Sequence, residues 1–199
     1  VIAAGLFWKQ IDNPIFSRTE SFEEYEYQGR YFAELEITRP ENAIDGDLKG
    51  FEFNYQQQFV GLPSPWSGFG ISLNYTYTDS EANVFDRDDK LPFFLQSDNI
   101  ANAALFFERA GFEARLAYAY RSEYLDEVGG DSNEDLYIDS RKQLDFKASY
   151  AFGDHYRIYL ELLNLTDEPL RYISGRKSGR LAENEIYSWN AILGLQIEF

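Results

Sequence analysis

The chain has 199 residues and a formal net charge of -16, with 34 acidic side chains against 18 basic ones. That balance argues against a phosphate-binding surface, hence against nucleic acid as the main partner, and disfavours simple docking on anionic lipid. The absence of cysteine excludes disulfides, zinc thiolate sites and cysteine nucleophiles.

The opening "VIAAGLFWKQ" reads as a strand over 1–11 rather than as a charged and apolar leader. With no methionine anywhere, the chain reads as a processed or truncated product. No apolar run approaches the ~18 residues of a membrane helix, so a membrane crossing would have to be a barrel. Two-residue alternation is nearly everywhere. In "FEFNYQQQF", Phe51, Phe53, Tyr55 and Phe59 alternate with Glu52, Asn54, Gln56 and Gln58. In "FGISLNYTYT", Phe69, Ile71, Leu73, Tyr75 and Tyr77 alternate with small or polar residues, Asn74 among them. A further strand falls near 99–108. "FEARLAYAYR" then sets Phe112, Leu116, Tyr118 and Tyr120 against Glu113, Arg115 and Arg121. "QLDFKASYAF" sets Leu144, Phe146, Ala148, Tyr150 and Phe152 against Gln143, Asp145 and Lys147. "YRIYLEL" and the closing "IYSWNAILGLQIEF" complete about eight strands, each near the ~9–11 residues that cross a bilayer when tilted.

The connections alternate in length. Short ones fall at 62–68, 108–111 and 153–156; long ones run roughly over 12–30, 79–97, 122–141 and 166–185 and hold most of the acidic residues. A soluble sandwich has no physical reason to sort its loops this way, whereas outer-membrane barrels have short inner turns and long external loops. Trp189 and Phe199 are ten residues apart on one face. That spacing is roughly 24 Å along the membrane normal, which matches an apolar band of ~25 Å. Trp66, Trp189 and Phe199 are therefore the expected aromatic girdle, with Trp66 in a short turn at the inner interface. The fold class expected is all-β, an antiparallel transmembrane β-barrel.

The polar strand faces should point inward: Glu52, Asn54, Gln56, Asn74, Glu113, Arg115, Arg121, Asp145 and Lys147. Charges of both signs there imply water, a plug or a ligand inside. The plainer reading is cross-strand pairing that satisfies the wall, for example Arg115 or Arg121 with Asp145. His155, the only histidine, sits in the turn "GDHY", far from the geometry of a catalytic triad, and one imidazole is no metal ligand set. "DRDDK" at 86–90 and "GGDSNED" at 129–135 offer clustered oxygens without the spacing of a calcium loop, and read as solvated loop faces. "GRKSGR" at 175–180 lacks the ending and context of a phosphate loop. "NYT" and "NLT" read as strand chemistry rather than glycosylation sites. No catalytic group, cofactor or metal site is expected.

The blocks "GDLKGFEFNYQQQF", "SLNYTYTDSEA" with "LPFF", "NAALFFERAGFEARLAYAYRSEYL", "LDFKASYAF", "LELLNLTDEP" and "YSWNAILGLQIEF" resemble, in this order, the carboxyl-terminal barrel of TonB-dependent outer-membrane receptors. The resemblance implies a place in the bacterial outer membrane, in contact with its lipid and lipopolysaccharide. It implies the last third of a 22-stranded barrel over 1–199, without the amino-terminal plug, the TonB-contacting segment and the earlier strands. It implies import of a scarce small molecule, such as a siderophore or saccharide, by TonB-coupled transport, with the TonB complex engaged through that missing plug region. Phe199, a terminal aromatic, resembles the signal read by the barrel-assembly machinery. External aromatic residues (Phe22, Tyr25, Tyr27, Tyr31, Tyr137) are candidates to stack on a ring of the cargo, and the acidic loops disfavour a strongly anionic one. Two alternatives remain at this point: a closed eight-stranded barrel with a structural or adhesive role, and a soluble β-sandwich binding module.

Overall fold

The structure is a computed structural model that describes residues 1–85, 87–176 and 179–198. Strands follow in the order β1 (Ile2–Asp12), β2 (Ile15–Tyr27), β3 (Arg30–Asn42), β4 (Asp45–Gln58), β5 (Phe69–Asn83), β6 (Lys90–Leu91), β7 (Asn99–Arg109) and β8 (Phe112–Arg121). Then come β9 (Tyr124–Glu127), β10 (Leu136–Ile138), β11 (Arg141–Phe152), β12 (Tyr156–Leu163), β13 (Leu170–Ser174), β14 (Arg180–Glu185) and β15 (Asn190–Ile197). One 3-10 turn, Trp66–Gly68, precedes β5.

The main sheet has the order β1-β4-β5-β7-β8-β11-β12-β15, with the short β6 pairing the outer end of β5. Every neighbour in that order is antiparallel. These eight are the strands read from the alternation, and the alternation is what fixes their register: a slip by one residue would turn every apolar side chain to the wrong face. One row across six strands runs Ile71, Leu105, Leu116, Phe146, Leu162, Ala191. At the other end Leu6, Phe51 and Tyr77 face one another in the same way. The result is one unbroken apolar face. Nothing among the described residues covers it: Leu193 is 72% exposed and Leu195 57%. A face of this size left open to water would be a liability in a soluble protein, whereas lipid is its natural neighbour.

The turns at one rim are short. β7 and β8 are joined by Ala110 and Gly111 alone, both at positive φ (50° and 78°), the backbone of a two-residue type I′ hairpin. At the opposite rim the chain is long and structured. The stretch read as a loop over 12–30 is instead the first part of a hairpin, β2 paired with β3 in continuous antiparallel register. The closing strand is also shorter than its alternation: Ser188 has φ of 59°, and the ladder runs only from Asn190 to Ile197. Trp189 thus lies just before the strand, at the long-loop rim.

The tightly buried residues lie outside the sheet face. Phe16, Val84, Leu125 and Val128 (all 0% exposed) gather with Ala43, Ala82, Leu91 and Tyr137 at the long-loop rim. Phe93 and Phe94 pack their rings 6.0 and 6.3 Å from Phe16. A small sheet, β14-β13-β10-β9, completes this cap. It is tied to β2 where Thr19 N–H donates to Val128 O (3.1 Å) and Val128 N–H donates to Ser17 O (3.0 Å). The long loops therefore share one apolar core, built at the end of the sheet.

Both alternative architectures fail against these features. Among the described residues β1 and β15 each pair on one side only, so the eight strands are not closed on themselves. The smaller sheets sit at one rim, not face to face with the main sheet as a sandwich requires.

Candidate functional site: the polar face and its external cap

The second face of the sheet carries the charges. Register places Lys9, Arg115, Arg121, Arg141, Lys147 and Arg157 on it together with Glu52, Glu108, Glu113, Asp145 and Glu161. Six cations against five carboxylates make this face nearly neutral, although the whole chain carries -16. The excess negative charge therefore lies off this face, in the β2–β3 hairpin, the long connections and the outer ends of β4 and β5.

All nine residues expected to point inward lie on this polar face, but the structure joins them differently from the expected pairs. Lys147 Nζ meets Glu161 Oε1 at 3.0 Å, directly across β11 and β12. Glu113 takes Arg157 Nη1 at 3.0 Å, and the same nitrogen donates to Ser149 Oγ at 2.9 Å. Asn102 Nδ2 donates to Asn74 Oδ1 at 3.5 Å. Asp145 takes neither Arg115 nor Arg121: it accepts from Gln143 Nε2 (2.9 and 3.1 Å) and from the Asn164 backbone N–H (2.8 Å). Arg121 instead donates to Ser97 Oγ (2.7 Å) and Leu95 O (2.6 Å) and lies over the Tyr124 ring at 3.7 Å. Arg115 has no ion pair among the described residues and lines a groove of about 390 Å³ with Glu113, Lys147, Ser149, Tyr159 and Glu161. Glu52, Asn54 and Gln56 stand on β4 facing Gly5, Ala3 and Ser72 in register, with no side-chain bond to one another.

The girdle candidates separate. Trp66, 58% exposed, stacks on Phe69 (5.8 Å), which meets Phe107 edge-on (4.7 Å). Phe107 in turn meets Phe112 (6.0 Å), forming an aromatic belt along the short-turn rim of the apolar face. Trp189, 57% exposed, is at the other rim. Phe199 lies outside the described residues.

In the cap, Arg87 is the hub. Its guanidinium, 8% exposed, forks onto Asp135 (1% exposed) through both Nη nitrogens, with Nη2 to Oδ2 at 3.1 Å. It forks equally onto Asp89, at 2.8 and 2.6 Å. Asp89 first, then Asp135, raise the Arg87 pKa, and Arg87 lowers that of Asp89. Burial raises Asp135 while its bonds to Arg87 and the Gly129 N–H pull the other way; the bidentate geometry is that of a charged pair. Tyr137 is pushed up to about 12, by burial and then by Asp135. Arg176 reaches Glu123 (2.7 Å) and Asp98 (3.6 Å) from above Tyr137. Tyr137 is thus a core residue at 4% exposure, closed to the stacking expected of it, whereas Tyr25, Tyr27 and Tyr31 on the β2–β3 hairpin are exposed.

The acidic stretches at 86–90 and 129–135 turn their oxygens inward on the protein. Asp89 and Asp135 hold Arg87, Asp131 accepts from the Asn133 N–H, and Glu134 accepts from the Gly130 N–H. Among the described residues no group of three potential ligands is set for a metal ion; Asp86 lies outside them, as do Lys177 and Ser178 of "GRKSGR". Between these two stretches opens an external cleft of about 700 Å³, bounded by Asp88, Pro92, Ser132 and Arg176. His155 sits exposed in the short β11–β12 turn, away from both the groove and the cleft.

Sequence reasoning missed Asn164. It is 7% exposed at φ 56°, and its amide donates to Glu168 O and Ser188 O (3.2 Å each) while its Oδ1 accepts from the Glu168 N–H (3.0 Å). That residue locks the segments after β12 and before β15 to Asp145. The sequon pattern concealed it; the signal was an asparagine at a strand end followed by a turn-forming "TDEP".

A family model described as TonB dependent receptor-like, beta-barrel matches residues 2–165. No curated protein and no solved structure gave a match.

Proposed function

The chain belongs to the TonB-dependent receptor-like β-barrel family, and from that membership we propose that it is one wall, with its external cap, of a larger TonB-coupled importer. Members of the family are transport proteins of the bacterial outer membrane, not enzymes. The observation that carries the larger-barrel reading is the open sheet. Its apolar face runs over eight strands, yet among the described residues β1 and β15 each lack a partner on one side. Unpaired strand edges are not tolerated in hydrocarbon, so further strands must close the wall. A 22-stranded barrel of which residues 1–199 form the carboxyl-terminal third satisfies this.

In that barrel the polar face lines the lumen. Glu113, Arg115, Lys147 and Glu161, toward the short-turn rim, stand where an internal plug would rest. Arg121, at the outer end of β8, and the cap cleft face incoming cargo. The cargo is a small molecule captured outside, and pulling by TonB on the plug releases it inward. Phe199 serves as the recognition mark for the barrel-assembly machinery, and the acidic cap meets the lipopolysaccharide layer through its counter-cations. Uptake by cells carrying the full-length protein tests the coupling. Uptake of a siderophore or saccharide that vanishes when TonB or the proton gradient is removed supports the reading. Uptake indifferent to both identifies a passive pore instead.

A further inference from the structure

The polar-face ion pairs leave one conspicuous imbalance, at the outermost rung of β8 and β11. Arg121 and Arg141 are direct cross-strand partners there. Side chains so placed share a face, with Cβ atoms about 5 Å apart, and like charges directly opposite repel. Neither has a counter-ion among the described residues. Arg121 is fixed by two neutral acceptors, Ser97 Oγ and Leu95 O, and by the Tyr124 ring, which leaves Nη1 without an acceptor. Arg141 has a buried Nε with no hydrogen-bond partner. A buried charged donor left unpaired is costly and calls for a partner.

The carboxylates within reach along the chain are already committed. Asp139 pairs with Arg171 (3.5 Å), Asp145 with Gln143 and the Asn164 N–H, and Asp98 and Glu123 with Arg176. In a chain of net charge -16, two arginines on one cross-strand rung, kept free of carboxylates among the described residues, are not accounted for by the wall's own pairing. We infer that Arg121 and Arg141 form an oxyanion subsite at the outer mouth of the lumen, which takes a carboxylate or phosphate group of the cargo. The fork geometry of guanidinium suits a two-oxygen acceptor, and the pre-set Arg121 loses little freedom on binding it. The acidic loops above disfavour a polyanion, so the cargo carries one such group on an otherwise neutral or cationic frame. This deepens the import reading by naming the chemistry that its outer subsite selects.

Titration of the purified full-length protein in detergent with inorganic phosphate, and separately with acetate, tests the subsite without any need for transport. Saturable binding of at least one anion is expected, weakened about tenfold or more in Arg141→Gln and in Arg121→Gln, and less in Arg141→Lys, which keeps the charge but loses the fork. Lys142→Gln removes a neighbouring charge from the opposite face and should leave binding unchanged. Heat-modifiable migration of each variant confirms that it is folded. The two anions distinguish phosphate from carboxylate selectivity. Absence of saturable binding to the unaltered protein, or binding that Arg141→Gln does not weaken, overturns the inference. TonB-dependent uptake with such indifferent binding leaves the import reading standing and removes only the subsite; arginine-dependent binding with TonB-independent uptake does the reverse.

Discussion

At the scale of single residues, the cap depends on a buried charge whose partners cannot be exchanged. Asp135 meets Arg87 through two oxygens at 1% exposure, so Asp135→Ala leaves a guanidinium that, among the described residues, only Asp89 and the Gly129 carbonyl still satisfy. Loss of one partner of a buried pair costs ~3–5 kcal/mol. Asp131→Ala, at an exposed turn, should cost only about 1 kcal/mol. Protease accessibility of the cap in intact cells reads the difference, and equal sensitivity of the two variants would refute the hub role of Arg87. Asp126 predicts the opposite sign. Burial, then the charge of Glu127, raises its carboxyl above the ordinary value, and no hydrogen bond relieves it among the described residues. Ionised at neutral pH, it therefore costs folded-state stability; that cost falls as pH drops through the raised folded value and is gone below the unfolded value of ~3.9. Asp126→Asn should slow hydrogen exchange in 124–138 at pH 7, and the advantage should disappear below about pH 4. Such residue-level facts were the least legible in the sequence. Alternation placed Arg121 and Asp145 on one face but could not choose their partners, because Ser97, Leu95 and Tyr124 come from the cap segments between wall strands, whose path no periodicity encodes.

Elements were legible in proportion to how differently their two faces are solvated. The eight wall strands have one apolar and one polar side, so their sequences alternate, and their existence and order follow from that. The β2–β3 hairpin is wet on both sides over most of its length. Its sequence "IFSRTESFEEYEY" offers no apolar face, and its register rests instead on a tight turn at Gln28 and Gly29 (φ 50° and 74°) and on Arg18 and Arg39 reaching Glu20 at 3.2 and 2.9 Å. The polar face also hides a cross-strand device. Phe106 lies over Gly70 and Tyr159 over Gly194, its direct partners, where any Cβ would collide with the ring. Face identity itself is testable at the middle of β8. Leu116 belongs to the apolar row and its neighbour Ala117 stands opposite Asp145 on the polar face. Leu116→Arg should cost ~2–4 kcal/mol in a bilayer, while Ala117→Arg gains a nearby carboxylate and should cost far less. Urea unfolding from lipid vesicles measures both, and equal losses would mean that both faces meet the same medium.

For the whole molecule, the decisive property is that stability is divided between two regions of unlike chemistry. The cap has a conventional buried core and needs no lipid. The wall has an uncovered apolar face and, among the described residues, two edges paired on one side only: β1 over eleven residues and β15 over eight. These edges are antiparallel to each other, so bending the sheet to join them into a small barrel is topologically possible. Closure would nevertheless wrap eight strands around a polar face bearing eleven charged side chains, together with Phe106 and Tyr159, inside an interior that in eight-stranded barrels is just wide enough for side chains. The 199-residue chain refolded alone in detergent micelles should therefore keep strand content but fail to give the compact, heat-modifiable band of a closed barrel. Its cap residues 87–98 and 122–140 should exchange amide hydrogens more slowly than β1 and β15, whose outer edges stay unpaired. Supplying the remainder of the barrel in trans should protect β1 and β15 and restore heat-modifiable migration. A stable heat-modifiable band from the chain alone, with β1 and β15 protected, would show that the edges pair with each other and would replace the large importer with a closed eight-stranded barrel.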